Sequence, residues 1–93
     1  MSISMIGIDH NMAPVDIRAK FAFTKKNAGE AMEKIKNQNG IYGCVILSTC
    51  NRLEVWASVD DEVDVCLYDC LCRIKGITED SYRKYFVERK DQE

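Results

Sequence analysis

Ser48-Thr49-Cys50-Asn51-Arg52 puts two hydroxyls, a thiol, an amide and a guanidinium side by side. Cys50 is the candidate nucleophile. Its chemistry runs through the thiolate, which forms more readily near positive charge, and Arg52 lies two residues on. Arg52 has the planar fork that clamps a carboxylate through parallel hydrogen bonds. Ser48, Thr49 and Asn51 can bind a polar substrate. Each residue also has a plainer reading. Cys50 can be a core thiol that ends a strand, because free cysteine is commonly buried. Arg52 can be solvated or held in a surface ion pair. His10, the single histidine, can carry protons or hydrogen-bond the irregular loop before Pro14.

The remaining cysteines call for separate treatment. Cys66 and Cys70 are one helical turn apart on an apolar face, while Cys72 is about 200° round from Cys70, so the three cannot converge from one helix. The C-x₂-C spacing of a zinc knuckle is missing. These three and Cys44, inside a strand, read as packing, and no metal site is expected.

The reactive stretch sits in a pattern of strands and helices. Residues 3–8 are apolar and β-branched and read as a buried strand, with Gly7 marking close backbone approach or a bulge. Pro14 suits the first position of a short helix carrying Val15, Ile17, Arg18 and Phe21. Thr24 reads as the N-cap of a helix running to about Asn37, with Ala28, Ala31, Met32 and Ile35 on its buried face. Asn39-Gly40 stops it. Strands follow at 42–49 and 53–59, the second alternating with period two. Their short connection makes them an antiparallel hairpin, with Asn51 supplying left-handed turn geometry. Asp60 or Asp61 caps a second helix over roughly 61–75, striped by Val63, Cys66, Leu67, Cys70, Leu71 and Ile74 and ended by Gly76. A helical turn at 78–82, a short strand at 85–88 and a frayed polar end at 89–93 complete the chain. Val65, Tyr68 and Cys72 form a weaker outward stripe, and Trp56 faces away from the core. Both are ordinary exposed groups or a surface that another part of the protein covers.

The order β-α-β-β-α-β predicts an α+β fold: a ferredoxin-like sandwich whose four-stranded antiparallel sheet, in the order 4-1-3-2, carries helices on one face. The first two strands then run parallel. His10 and Cys50 follow their C-terminal ends, so both belong to one rim beside Arg52. With strands about 4.8 Å apart, the two backbones are expected roughly 10 Å from each other.

Composition bounds the function classes. The 93 residues make one domain with a modest core. A net charge of −2 argues against a protein that grips nucleic acid mainly through phosphates. The N-terminus lacks the basic and apolar regions of a signal peptide. No apolar run nears the ~18 residues that span a membrane. An odd cysteine count without a secretory signal fits free thiols in a cytoplasmic protein.

Two stretches together carry a family resemblance. GIDHNMAPVDIR (residues 7–18) and CVILSTCNRLEVW (residues 44–56) resemble the N-terminal signature and the active-site segment of glutamyl-tRNA reductases. The resemblance spans the whole chain, read as the N-terminal part of that family's catalytic domain. It implies NADPH-dependent reduction of glutamyl-tRNA to glutamate-1-semialdehyde, the entry step of tetrapyrrole synthesis. Cys50 would attack the aminoacyl ester and hold a glutamyl thioester. Thr49, Cys50, Asn51 and Arg52 match the substrate-binding segment, with Arg52 on a glutamate carboxylate, and His10 and Ser48 lie near the site. NADPH would be bound by a domain absent from this chain, since no G-x-G-x-x-G occurs here. The dimerisation domain is absent too, and the full-length protein would be a homodimer. A further histidine and serine of the family's catalytic domain fall beyond residue 93, so these residues alone are expected to be inactive. The family signature often continues Arg-Glu, whereas Arg18 is followed by Ala19, and this position is read as not chemical. The alternative is a stand-alone ferredoxin-like module that binds a ligand or RNA without covalent chemistry.

Overall fold

The computed structural model describes residues 1–92, with side chains through Lys90. Its first strand, β1 (Ser2–Asp9), alternates: Ser2, Ser4, Ile6 and Ile8 are buried on one face, while Ile3 and Met5 are more open on the other. Helix α1 (Val15–Phe21) follows, with Pro14 as its N-cap, one residue earlier than expected. Thr24 caps α2 (Lys25–Lys36), its Oγ1 accepting the Asn27 N–H at 3.1 Å. Gly40 then turns the chain with φ of 88°, where a Cβ would stand 2.6 Å from Val63. Only glycine satisfies both the angle and the space.

Strands β2 (Ile41–Ser48) and β3 (Arg52–Val59) form the hairpin. β1 pairs antiparallel with β3, and β4 (Val87–Gln92) pairs antiparallel with β1, giving the order β2-β3-β1-β4. This is the expected 4-1-3-2 sheet read from its other edge. Register runs unbroken through Gly7. The irregularity lies instead between Ile41 and Gly43 of β2. The core joins Ile6, Ile8, Val55 and Ala57 of the sheet to Phe21, Ile35 and Leu71 of the helices, all on one face. The opposite face leaves Val45, Leu47 and Trp56 exposed, as expected for Trp56.

Four expectations in the second half need correction. The third helix, α3 (Leu67–Lys75), starts six residues later than expected. Asp60 closes a turn instead, accepting the Glu62 N–H on its side chain at 3.0 Å and the Val63 N–H on its carbonyl at 3.1 Å. Asp61 is engaged by the chain's amino terminus at 2.6 Å and by the Ser2 hydroxyl. Carboxylates already satisfied in a turn do not cap a helix. Second, a 3₁₀ turn at Arg83–Tyr85 replaces the helical turn at 78–82. Third, the last strand is Val87–Gln92, so residues expected to fray pair with β1; Glu93 lies outside the described residues. Its charged sequence hides a strand because an edge strand tolerates charge. Fourth, Tyr68 and Cys72 are buried, with 1% and 7% of their surface exposed. Residues 77–86 fold over that side of α3. Phe86 packs edge-on against Phe21 at 4.9 Å and Tyr68 at 5.5 Å between ring centroids. The Tyr68 hydroxyl donates to the Glu79 carbonyl at 2.9 Å, and burial pushes its pKa up.

Candidate active site at the hairpin tip

The β2–β3 tip is built by a threonine. The Thr49 N–H donates to the Arg52 carbonyl at 2.8 Å, and Thr49 Oγ1 accepts the N–H groups of Asn51 and Arg52, each at 3.2 Å. This side-chain turn needs no left-handed residue. Asn51 accordingly has negative φ, as does every non-glycine residue described, against the left-handed geometry expected of it. Ser48 anchors the end of β2 to the α1–α2 connection, its Oγ accepting the Phe23 N–H at 3.1 Å. Both hydroxyls therefore have structural work, although Thr49 remains exposed beside the thiol.

The tip meets the end of β1 at one rim. The His10 N–H donates to the Asn51 carbonyl at 2.9 Å. This bond carries the β1–β3 register one step beyond Asp9 and Arg52, so the loop after β1 and the hairpin tip meet at the same rim. Asp9 shapes the loop before Pro14: its carbonyl accepts the N–H groups of Met12 and Ala13, and its carboxylate accepts that of Asn11 at 2.9 Å. The His10 imidazole is left exposed, without a hydrogen-bond partner among the described residues.

Cys50 is the one exposed thiol; Cys44 and Cys66 are half-buried, and Cys70 and Cys72 are buried. Burial pushes the Cys44 thiol up to about 11 and also raises those of Cys70 and Cys72. Among the described residues, no group of three or more histidines, cysteines or carboxylates is placed to share a metal ion.

Two guanidiniums flank the tip. Arg18, on α1, donates through Nη1 to the Cys50 carbonyl at 2.8 Å and through Nε to the Ala13 carbonyl at 3.2 Å. It lines a cavity of about 200 Å³ with Ile8, Ser48, Thr49 and Cys50, and Arg52 borders the same cavity. Arg52 pairs through Nη1 with Glu54 Oε2 at 3.1 Å, and the Trp56 indole N–H donates to Glu54 Oε1 at 3.1 Å. These bonds, Trp56 first, hold the Glu54 carboxyl below its usual range. Arg52 thus reaches the open face, beside a second hollow of about 320 Å³ that includes Met5, Met12, Trp56 and Arg89. A larger hollow of about 410 Å³ along α3, lined by Tyr68, Cys72 and Glu79, contains none of the tip residues.

Arg18 is the site residue that the spacing of STCNR does not reveal. Its signal was its position, three residues before Phe21 on a helix whose inward face also holds Ile17. An arginine on that face needs acceptors, and loop carbonyls supply them.

The chain also resembles known proteins. Residues 6–93 match the family described as glutamyl-tRNAGlu reductase, N-terminal domain. The glutamyl-tRNA reductase of Alkaliphilus oremlandii is 40% identical over 84 residues, covering 90% of this chain and 25% of that protein. That of Vesicomyosocius okutanii is 37% identical over 92 residues, covering 98% of this chain and 22% of that protein. The Geobacillus kaustophilus protein of the same name is 47% identical over 60 residues, covering 64% of this chain and 13% of that protein. The chain spans about a quarter of the length of the first two relatives. With a family match over nearly its whole length, this chain belongs to the glutamyl-tRNA reductase family, in the part that forms the N-terminal domain.

Proposed function

We propose that this chain carries the nucleophilic half-reaction of glutamyl-tRNA reduction. The observation that carries the reading is the exposed Cys50 thiol at the hairpin tip, its carbonyl held by Arg18 beside a small cavity. The Cys50 thiolate attacks the carbonyl carbon of the glutamyl ester. The ester C–O bond breaks as the C–S bond forms, and the tRNA leaves as its ribose hydroxyl, taking up the proton the thiol gave away. Cys50 then holds a glutamyl thioester, so that one difficult step is divided in two. Thr49, Asn51 and Arg52 line the substrate, and Arg52 receives a glutamate carboxylate. Its present partner is Glu54. The substrate carboxylate therefore competes with an exposed ion pair of small worth. His10 and Ser48 stand near the site without an assigned step.

The reductive half belongs elsewhere. NADPH supplies hydride when bound, but these residues do not fit a dinucleotide. The connections that lead into α1 and α3, residues 10–14 and 60–66, contain no glycine to let a pyrophosphate approach the backbone. In our reading the chain is one domain of a cytoplasmic, homodimeric enzyme whose NADPH-binding and dimerisation domains lie outside it. NADPH-dependent aldehyde formation is expected to be absent from these residues alone.

Mass spectrometry after limiting treatment with iodoacetamide tests the reading. Cys50 should be modified before Cys44, Cys66, Cys70 and Cys72, and first modification at any of the others would count against it. A second reading, a ligand- or RNA-binding module without covalent chemistry, draws on Trp56, Arg52 and Arg89 around the open-face hollow. An aromatic flanked by cations on an open sheet suits a nucleobase. RNA binding by a chain whose Cys50 stays inert would favour it.

A further inference from the structure

The geometry assigns Arg18 as the positioning residue of the nucleophile: a strut from α1 that fixes the Cys50 loop. The inference rests on Cys50 being the nucleophile. The tip's own turn is closed by Thr49, which holds the N–H groups of Asn51 and Arg52. Those bonds leave the outward carbonyls of Cys50 and Asn51 to be held from outside the hairpin. The His10 N–H takes that of Asn51 and Arg18 takes that of Cys50. Among the described residues, Arg18 is the one side chain from another element that hydrogen-bonds to residues 49–51.

Three properties make it a strut. Its Nε bond to the Ala13 carbonyl fixes the guanidinium plane before Nη1 reaches Cys50. Its base is rigid: α1 is pinned by Ile17 and Phe21, which are 8% and 0% exposed, and the Arg18 N–H donates to the Pro14 carbonyl at 3.1 Å. The side chain is itself half-buried along the cavity wall. A planar fork held at one nitrogen and donating at another fixes an orientation that a single ammonium does not. A nucleophile displaced by even about 1 Å loses much of its rate, so loop orientation is worth having.

The test compares Arg18→Met, Arg18→Lys and Cys50→Ser with this chain. Amide hydrogen exchange is followed by peptide. Acylation of Cys50 by an activated ester of glutamate is resolved into a saturation constant and a limiting rate. In Arg18→Met, exchange at 49–52 should rise about tenfold while β1 and β3 stay within about twofold. The limiting acylation rate should fall about tenfold with the saturation constant within about twofold. Arg18→Lys should recover part of the rate. Unchanged exchange at 49–52 would overturn the assignment, as would a loss confined to the saturation constant, which would make Arg18 a substrate-binding group. If Arg18→Met does not fold, Arg18→Lys decides: wild-type exchange and rate together would overturn the strut, and an intermediate loss of both would support it. Acylation of the wild-type chain no faster than of Cys50→Ser would defeat the proposed function, while the exchange data would still decide the role of Arg18.

Discussion

At the hairpin tip, Cys50 is exposed and its backbone carbonyl accepts a hydrogen bond from Arg18. On α3, Cys70 and Cys72 are buried, and Cys66, at the N-cap, accepts a contact from Arg83 Nη2 at 3.4 Å. Both regions place cysteine near arginine, yet the elements beneath them differ. The tip is a side-chain-closed turn that cannot be covered by the sheet it connects, so its thiol stays in water. α3 lies against the sheet, and residues 77–86 cover its other side, so desolvation dominates and pushes the Cys70 and Cys72 thiols up. Sequence proximity to arginine is a weaker guide to a reactive thiol than whether its element leaves it in water.

The comparison breaks most severely if the packing beneath the cover over α3 is removed. Phe21 is fully buried and packs against Tyr68, Tyr82 and Phe86. Phe21→Ala should cost about 4 kcal/mol, read by urea denaturation. Alkylation of Cys70 and Cys72 should then accelerate in step with unfolding while Cys50 changes little. Equal acceleration at all these thiols would mean that the tip, too, is protected by packing.

Alkaline pH sharpens the contrast at an intermediate scale. The Cys44 thiol titrates at about 11 in the folded chain against an unfolded value of 9.0. Below pH 9 both states hold that proton. Between about 9 and 11 the unfolded state releases it first, so stability should fall as pH rises through that window. Cys44→Ala should flatten the slope in pH-dependent denaturation, and an unchanged slope would show that burial of Cys44 is not its source. The smallest effect is expected at Glu54→Gln. The exposed pair with Arg52 contributes under about 1 kcal/mol, so the melting temperature should barely move. Binding of a glutamate ester should tighten as Arg52 is released, and weakened binding would count against Arg52 as the carboxylate site.

Much of this could be read from residue order alone. Period-two alternation placed β3, Thr24 and Gly76 marked helix ends, and the two crossovers fixed the sheet order and the shared rim of His10 and Cys50. What escaped depended on competition for partners. Asp60 and Asp61 look like caps until Glu62 and the amino terminus claim them. Tyr68 and Cys72 look outward until residues 77–86 return over them. The last strand beside β1 is legible at 85–88, but residues 89–92 carry no alternating apolar pattern, so nothing local announces that the pairing with β1 runs on through them. At the site, Cys50 and Arg52 stood out by type, whereas Arg18 depended on α1 being docked against the sheet before its reach to Cys50 could be seen. The placement of the two arginines, Arg18 at the cavity and Arg52 between that cavity and the hollow of the open face, follows from the face of α1 and the pleat of β3 together.

The most direct measurement is peptide mapping by mass spectrometry after single-turnover reaction of this chain with an activated glutamate ester. The account predicts a glutamyl adduct on Cys50 that is lost in Cys50→Ser and that forms before any adduct on Cys44, Cys66, Cys70 or Cys72. An adduct appearing first on one of those four, or at an equal rate in Cys50→Ser, would contradict it.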